Sequence, residues 1–238
     1  DVDTDGVHRS EIFSAMSQYT LRIVFHEVLG TEDLTALDPM HTALQRLLQL
    51  ALVEVSTGAK MPNFVPTAHN VEKQRLLKYL KSTVRRYAQA RLDAPVPPET
   101  DLLGAIVKAC DSNLDAITDE IMTLLTAGSD TSGGTLCWLF YALSSHPGIL
   151  ERVHAELDDL GDAPLDYSAL ERMPLLMACI DEVVRLYPTT YAIPGRRAEC
   201  DVDMGDFVVK KGQIVQLVPY VTQRDPRWFA NADQFDPD

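Results

Sequence analysis

Three short stretches bring together side chains that can move protons or hold anions. In Ala127-Gly128-Ser129-Asp130-Thr131, a carboxylate and hydroxyls follow a glycine inside the chain's longest apolar stretch. A glycine inside a helix costs about 1 kcal/mol relative to alanine, and an unpaired buried carboxylate costs more, so stability does not account for the pentad. The glycine lets a flat ligand or small molecule approach the backbone, and the neighbouring acid and hydroxyl can pass it a proton. The plainer alternative is a kinked helix with Thr131 bonded back to a carbonyl one turn earlier and Asp130 at the surface.

Glu182-Val183-Val184-Arg185 sets a carboxylate and a guanidinium at i and i+3, on one helix face, where they can pair. Such pairs are commonly exposed and weak. Here Ile180, Val183, Val184 and Leu186 make the helix apolar around much of its circumference, which favours a partly buried pair locking neighbouring segments together. Pro194-Gly195-Arg196-Arg197 follows, and its arginines suit a carboxylate or phosphate; a solvated basic turn is the simpler reading.

The elements that must position these residues are mostly helices. Apolar spacing predicts helices over 10–29 (stopped by Gly30), 40–55, 71–92, 101–109, 113–145 (capped by Asn113 or Thr118), 146–160 and two more before Pro188. Beyond Pro188, CDVDMGDFVVKKGQIVQLVPYV has β-branched runs broken by Gly205 and Lys211-Gly212 and reads as a hairpin, followed by a turn-rich tail without helix or strand. The fold class is mainly α with a small β subdomain: residues 1–187 helical, 188–238 the β region. At 238 residues and 46% hydrophobic the chain can bury a sizeable core. Its net charge of −14 disfavours nucleic acid as a partner, because a phosphate-tracking surface gathers Lys and Arg. Four scattered cysteines, without a CxxC or CxxH pair, suggest neither a zinc site nor a disulfide framework. The stretch 121–143 is too polar for a membrane span, and the first residues show no signal peptide; a cytoplasmic location is expected, with an anchor in a preceding segment left open.

The three motifs, in this order, resemble the cytochrome P450 monooxygenases: AGSDT the oxygen-activating helix motif, EVVR the Glu-x-x-Arg pair, and GRRAECDVDMGDFVVKKGQIV the arginine, hairpin and glycine-turn segment. QRDPRWFANADQFDPD resembles the family's meander. The resemblance runs over essentially the whole chain and implies a P450 fold truncated at both ends, with the amino-terminal helices supplying the E, F, G and H helices, of which F and G form a lid over the substrate, 113–145 the long central helix and 175–187 the helix of the Glu-x-x-Arg pair. It implies that Thr131 is the oxygen-contacting hydroxyl and Asp130 its proton-relay partner, that Ala127 and Gly128 leave room above the haem, and that Glu182 and Arg185 are a structural pair. Arg196 is the expected haem-propionate partner, by its spacing to Asp201, with Arg197 as the fallback; Tyr191, Ala192 and Ile193 fall at the substrate-contacting turn. Heme b, dioxygen, an apolar small-molecule substrate and a ferredoxin or flavoprotein electron donor are implied with it.

The family's haem iron has a cysteine thiolate ligand. Its Phe-x-x-Gly-x-x-x-Cys-x-Gly loop has no counterpart among Cys110, Cys137, Cys179 and Cys200, and no Trp-x-x-x-Arg precedes the long helix. The expectation is a piece of a longer enzyme, inactive alone. The competing expectation is a haem-less, acidic, helical binding protein.

Overall fold

The computed structural model describes residues 11–31, 33–57, 61–94, 101–161 and 165–238. The chain divides into two compact units, Asp1–Gly133 and Gly134–Asp238, each with its own apolar core.

In the first unit, α1 (Ile12–Leu29), α2 (Leu37–Thr57), α3 (Ala68–Asp93), α4 (Leu102–Ala109) and the opening turns of α5 (Leu114–Ser145) surround Leu21, Phe25, Met40, Leu80, Val84 and Leu103. Ile117, Ile121 and Leu125, spaced four apart, form one completely buried stripe of α5. The helix ends follow from local chemistry. Gly30 adopts φ 59°, where a side chain is strained, and its N–H closes on His26 O at 2.8 Å. Thr67 and Asp101 accept hydrogen bonds from Asn70 N (3.1 Å) and Gly104 N (2.7 Å), satisfying otherwise orphaned amides. Asn113 caps α5 by accepting from Asp115 N (3.0 Å) and Ala116 N (3.1 Å), so Asn113 rather than Thr118 starts that helix. Between α2 and α3, the largely buried Lys73 pairs with Glu54, which also meets His69 Nε2 at 2.9 Å.

Close packing of α1 on α5 explains one glycine directly. A Cβ on Gly133 would stand 2.8 Å from the Ser17 backbone N and Cα, closer than real Cβ contacts. No larger residue fits while the two backbones run this near.

The second unit contains the rest of α5, α6 (Pro147–Asp158), a 3-10 turn at Tyr167–Arg172, α7 (Pro174–Leu186), four two-residue strands and the single-turn α8 (Pro219–Thr222). Leu139, Leu143, Val153, Cys179, Val183, Leu186 and Phe235 form its core. The first of the two helices expected before Pro188 is this 3-10 turn, while the second is α7. Glu156 on α6 accepts from Leu175 N (2.8 Å) and Leu176 N (2.9 Å), putting a carboxylate on the amide-rich start of α7.

The expected hairpin is two nested ones. β2 (Val202–Asp203) pairs antiparallel with β3 (Val208–Val209) around Gly205, and β1 (Arg196–Arg197) pairs antiparallel with β4 (Ile214–Val215) outside it. The Lys211-Gly212 turn therefore links β3 to β4, which do not pair with each other. Pro219, which had been assigned to the hairpin, instead opens α8, because its fixed φ suits the first turn of a helix.

Candidate active site

Asp130 is not at the surface. It is half-buried on the side of α5 that packs against α1 and α2, and its Oδ1 accepts from Ser17 Oγ and from Gln45 Nε2 at 2.7 Å. Gln45 Nε2 also reaches Ser17 Oγ at 2.8 Å, and His41 Nε2 lies 3.4 Å from the same hydroxyl. One turn along α1, the buried Thr20 donates to Ser129 O at 2.7 Å, a second polar tie between the helices.

Thr131 and Ala127 lie on a different face of α5, where Leu124, Ala127 and Thr131, at i, i+3 and i+7, are all exposed. The Thr131 hydroxyl donates to Ala127 O at 2.6 Å, the back-bond to the preceding turn that the plainer reading anticipated. Gly128 faces Val24 of α1, whose Cγ2 would be 3.0 Å from an added Cβ. In this unit the glycine thus has a packing reason, close approach of α1, in addition to any ligand. Acid and alcohol are adjacent in sequence but about 100° apart around the helix, one turned to a hydrogen-bonded interior and the other to an open face.

In the second unit, Arg185 uses all five of its N–H donors. Nε and Nη2 grip Glu182 Oε2 and Oε1, both at 2.7 Å; Nη1 reaches Gln223 O (2.9 Å) and Ala232 O (2.6 Å), and Nη2 reaches Gln234 O (2.9 Å). Glu182 Oε1 takes a further bond from Asp236 N at 3.0 Å, and both side chains are only 11–12% exposed. Burial pulls the Glu182 carboxyl up, but the Arg185 hydrogen bonds, the Asp236 amide and the guanidinium charge outweigh it and hold the group below its ordinary value. The pair therefore ties α7 to the chain at 223–236, which sequence patterning had anticipated only as a partly buried lock. Arg224, stacked 4.1 Å over the Tyr220 ring, and Trp138, stacked face to face on Tyr187 at 4.4 Å, extend that region.

Arg196 and Arg197 are both exposed on β1. Arg197 Nη1 donates to Gly212 O at 3.2 Å, whereas the Arg196 side chain has no hydrogen-bond or ionic partner among the described residues. Asp201 is held by Lys211 N and Lys210 Nζ, each at 2.9 Å, and the backbone bond leads in holding its carboxyl below the usual range. The turn at 191–193 is pinned by backbone bonds from Ile193 N to Leu217 O (2.9 Å) and from Tyr220 N to Tyr191 O (3.4 Å), which leaves the Tyr191 side chain exposed.

Sequence reasoning missed Ser17, His41 and Gln45. The available signal was polar residues at buried positions of an amphipathic helix: Ser17 and Thr20 are 0% and 6% exposed on the apolar stripe of α1.

Each unit by itself carries groups that suit a haem: the first an open helix face with a hydroxyl and an acid behind it, the second an exposed arginine, Arg196, without a hydrogen-bond or ionic partner among the described residues. No residue of the chain is assigned as the iron's ligand. Burial pushes the Cys137 and Cys179 thiols up and away from the thiolate form, and among the described residues no three His, Cys, Asp or Glu side chains gather to hold a metal. Among the same residues, no helix is long and apolar enough to cross a membrane.

Comparison with known proteins bears directly on this arrangement. Human mitochondrial 25-hydroxyvitamin D-1 alpha hydroxylase is 34% identical over 64% of this chain and 32% of its own length. Pentalenene oxygenase of Streptomyces avermitilis is 30% identical over 73% of this chain and 40% of its own. A retinoic acid-bound cyanobacterial P450 structure superposes with a TM-score of 0.78 at 26% identity, covering 95% of this chain and 50% of that one. The chain thus spans well under half the length of the curated relatives and about half of the solved structure. The Cytochrome P450 family model matches residues 4–238, nearly the whole chain, and the protein belongs to the cytochrome P450 family.

Proposed function

We propose that this chain is the central part of a haem-dependent monooxygenase that puts one atom of dioxygen into an apolar organic substrate. The observation that carries the reading is the split on α5: Thr131 and Ala127 on an open face, with Asp130 turned into a hydrogen-bonded interior immediately behind it. Haem, when bound, supplies the oxygen-activating redox chemistry. This chain's residues supply geometry and protons. Arg196, with Arg197 beside it, holds a propionate as a charge-assisted partner. Ala127 and Gly128 keep the helix wall thin, and Tyr191, Ala192 and Ile193 line the substrate. Asp130 stores a proton and Thr131 presents a hydroxyl for passing it to the reacting oxygen. Electrons come from a ferredoxin- or flavoprotein-type donor. The relatives that act on, or hold, 25-hydroxyvitamin D, pentalenene and retinoic acid support an apolar substrate class. Family membership disfavours the haem-less scaffold.

The test is spectroscopic. Protein carrying this chain is purified with haem, reduced and exposed to carbon monoxide. A thiolate-type absorbance band, together with substrate-dependent dioxygen uptake, is the expected result; failure to take up haem overturns the proposal.

A further inference from the structure

We infer that the groove between α2 and α3 is a second ligand site, which takes an amphipathic carboxylate with its apolar body in the groove and its charge on Arg75. The site is separate from the Asp130 cluster. On α2, Thr42 and Arg46 line the groove, while His41 and Gln45, each about 100° away around the helix from its neighbour, turn to Ser17.

The groove encloses about 500 Å³, within the range of about 300–1,000 Å³ that small-molecule sites occupy. Pro39, Ala43 and Leu76 line it with apolar surface, and Tyr79, 36% exposed, adds an aromatic ring. Arg46 grips Glu72 with two bonds, Nε to Oε1 at 2.7 Å and Nη2 to Oε2 at 2.9 Å, so the two helices are tied together and these two charges answer each other.

Arg75 is different. Most cations of α3 are matched: Lys73 pairs with Glu54, Lys81 with Asp119 at 2.6 Å, Arg85 with Asp115 and Arg91 with Asp101 at 2.7 Å, and the Arg86 guanidinium stands 5.5 Å over the Tyr87 ring. The chain carries 35 acidic side chains against 21 Lys and Arg, yet the exposed Arg75 and Lys78 have no hydrogen-bond or ionic partner among the described residues. Of these two, Arg75 lines the groove and Lys78 does not.

An unpaired guanidinium beside apolar surface selects a ligand with one charged end. A carboxylate suits it because the planar group offers parallel N–H donors to two oxygens. A dianion such as a phosphate monoester fits less well, since the Glu72 carboxylate lies one turn away, and an amine meets Arg75 instead. An anionic membrane is a poor occupant, because the site is a groove and the chain's net charge of −14 is repelled by such a surface. Bound to both helices, the ligand stabilises their pairing by mass action.

The test uses the full protein carrying this chain, with fluorotyrosine in place of tyrosine, titrated with sodium decanoate below micelle formation. Fluorine NMR reads Tyr79, whose signal is the one missing in Y79F. A saturable shift of that signal is expected. R75L, at an exposed position with no partner to lose, weakens binding by at least about tenfold, the scale of one charge-assisted bond. K78L removes an equal charge outside the groove and, through solvent screening, changes binding by less than about threefold. Decanol, the neutral analogue, binds the wild-type protein no better than decanoate binds R75L. The inference is overturned by a Tyr79 signal that does not move, by R75L or decanol binding as tightly as wild type with decanoate, or by K78L losing as much as R75L, which marks diffuse attraction. A Tyr79 signal that moves only with phosphatidylglycerol vesicles marks a membrane surface and overturns it too. The readout needs no turnover, so the haem test and this one fail independently.

Discussion

Replacing Arg185 with leucine removes five hydrogen bonds and leaves the Glu182 carboxylate with one recorded protein partner, the Asp236 amide. Breaking a buried pair from one side costs about 3–5 kcal/mol, chiefly because the remaining charge is stranded. Of the three freed carbonyls, those of the half-buried Gln223 and the exposed Gln234 recover water, whereas that of the buried Ala232 does not, so the whole range applies, about 3–5 kcal/mol. Urea unfolding followed by the fluorescence of Trp138, which stacks on Tyr187 at the end of α7, reads the change in this unit. With a urea slope of about 1–3 kcal/mol/M, the midpoint falls by roughly 1–5 M. The pH dependence has a definite sign. Glu182 sits below its ordinary value of 4.5 in the folded protein, so its contribution is present above 4.5 and is lost as pH falls through the lower folded pKa. In R185L the burial that already pulls Glu182 up acts with little opposition, the folded pKa rises above the unfolded one, and stability increases on acidification instead. Adding E182Q to R185L removes the stranded charge and recovers part of the loss. The reasoning is refuted if R185L shifts stability by less than about 0.5 kcal/mol, the scale of an ordinary surface change, or if its acid slope keeps the wild-type sign.

Gly133→Ala drives a methyl to 2.8 Å from the Ser17 backbone, and thermal unfolding should show a loss of about 1–3 kcal/mol; Gly148→Ala, with nothing within 4 Å, serves as the neutral comparison. Arg227→Ala frees Asp225, whose carboxyl is lowered to about 2 by the Arg227 side chain and backbone N–H, so its NMR titration midpoint moves up toward 3.8. The exposed Arg196→Ala leaves the fold intact and weakens haem uptake in a titration, by about tenfold for loss of one charge-assisted bond, whereas equal affinity would remove the propionate role.

Much of the fold was legible because its signals are local. Gly30, Asp101 and Asn113 stop or start helices through bonds that span a few residues, so their types announce the boundaries, whereas the Thr67 cap went unread and α3 begins three residues before the expected start at 71. The nested strands were not, since β1 pairs with β4 across the whole β2–β3 hairpin and each strand is two residues long. A pattern of alternation has no room to register in two residues, and the glycine turns alone suggested the nearer pairing.

The same division runs through the candidate site. Sequence alone singled out the side chains proposed for the site, Asp130, Thr131, Glu182, Arg185 and Arg196, because residue type and spacing along one helix or turn fix what a group can donate or accept. Only the tertiary structure decided what each of them faces. It turned Asp130 toward Ser17 and Gln45, 113 and 85 positions away, and gave Arg185 three carbonyls 38 to 49 positions on. The physical reason is that a buried polar group must find its partners in space, and packing, not sequence neighbourhood, sets who is within reach.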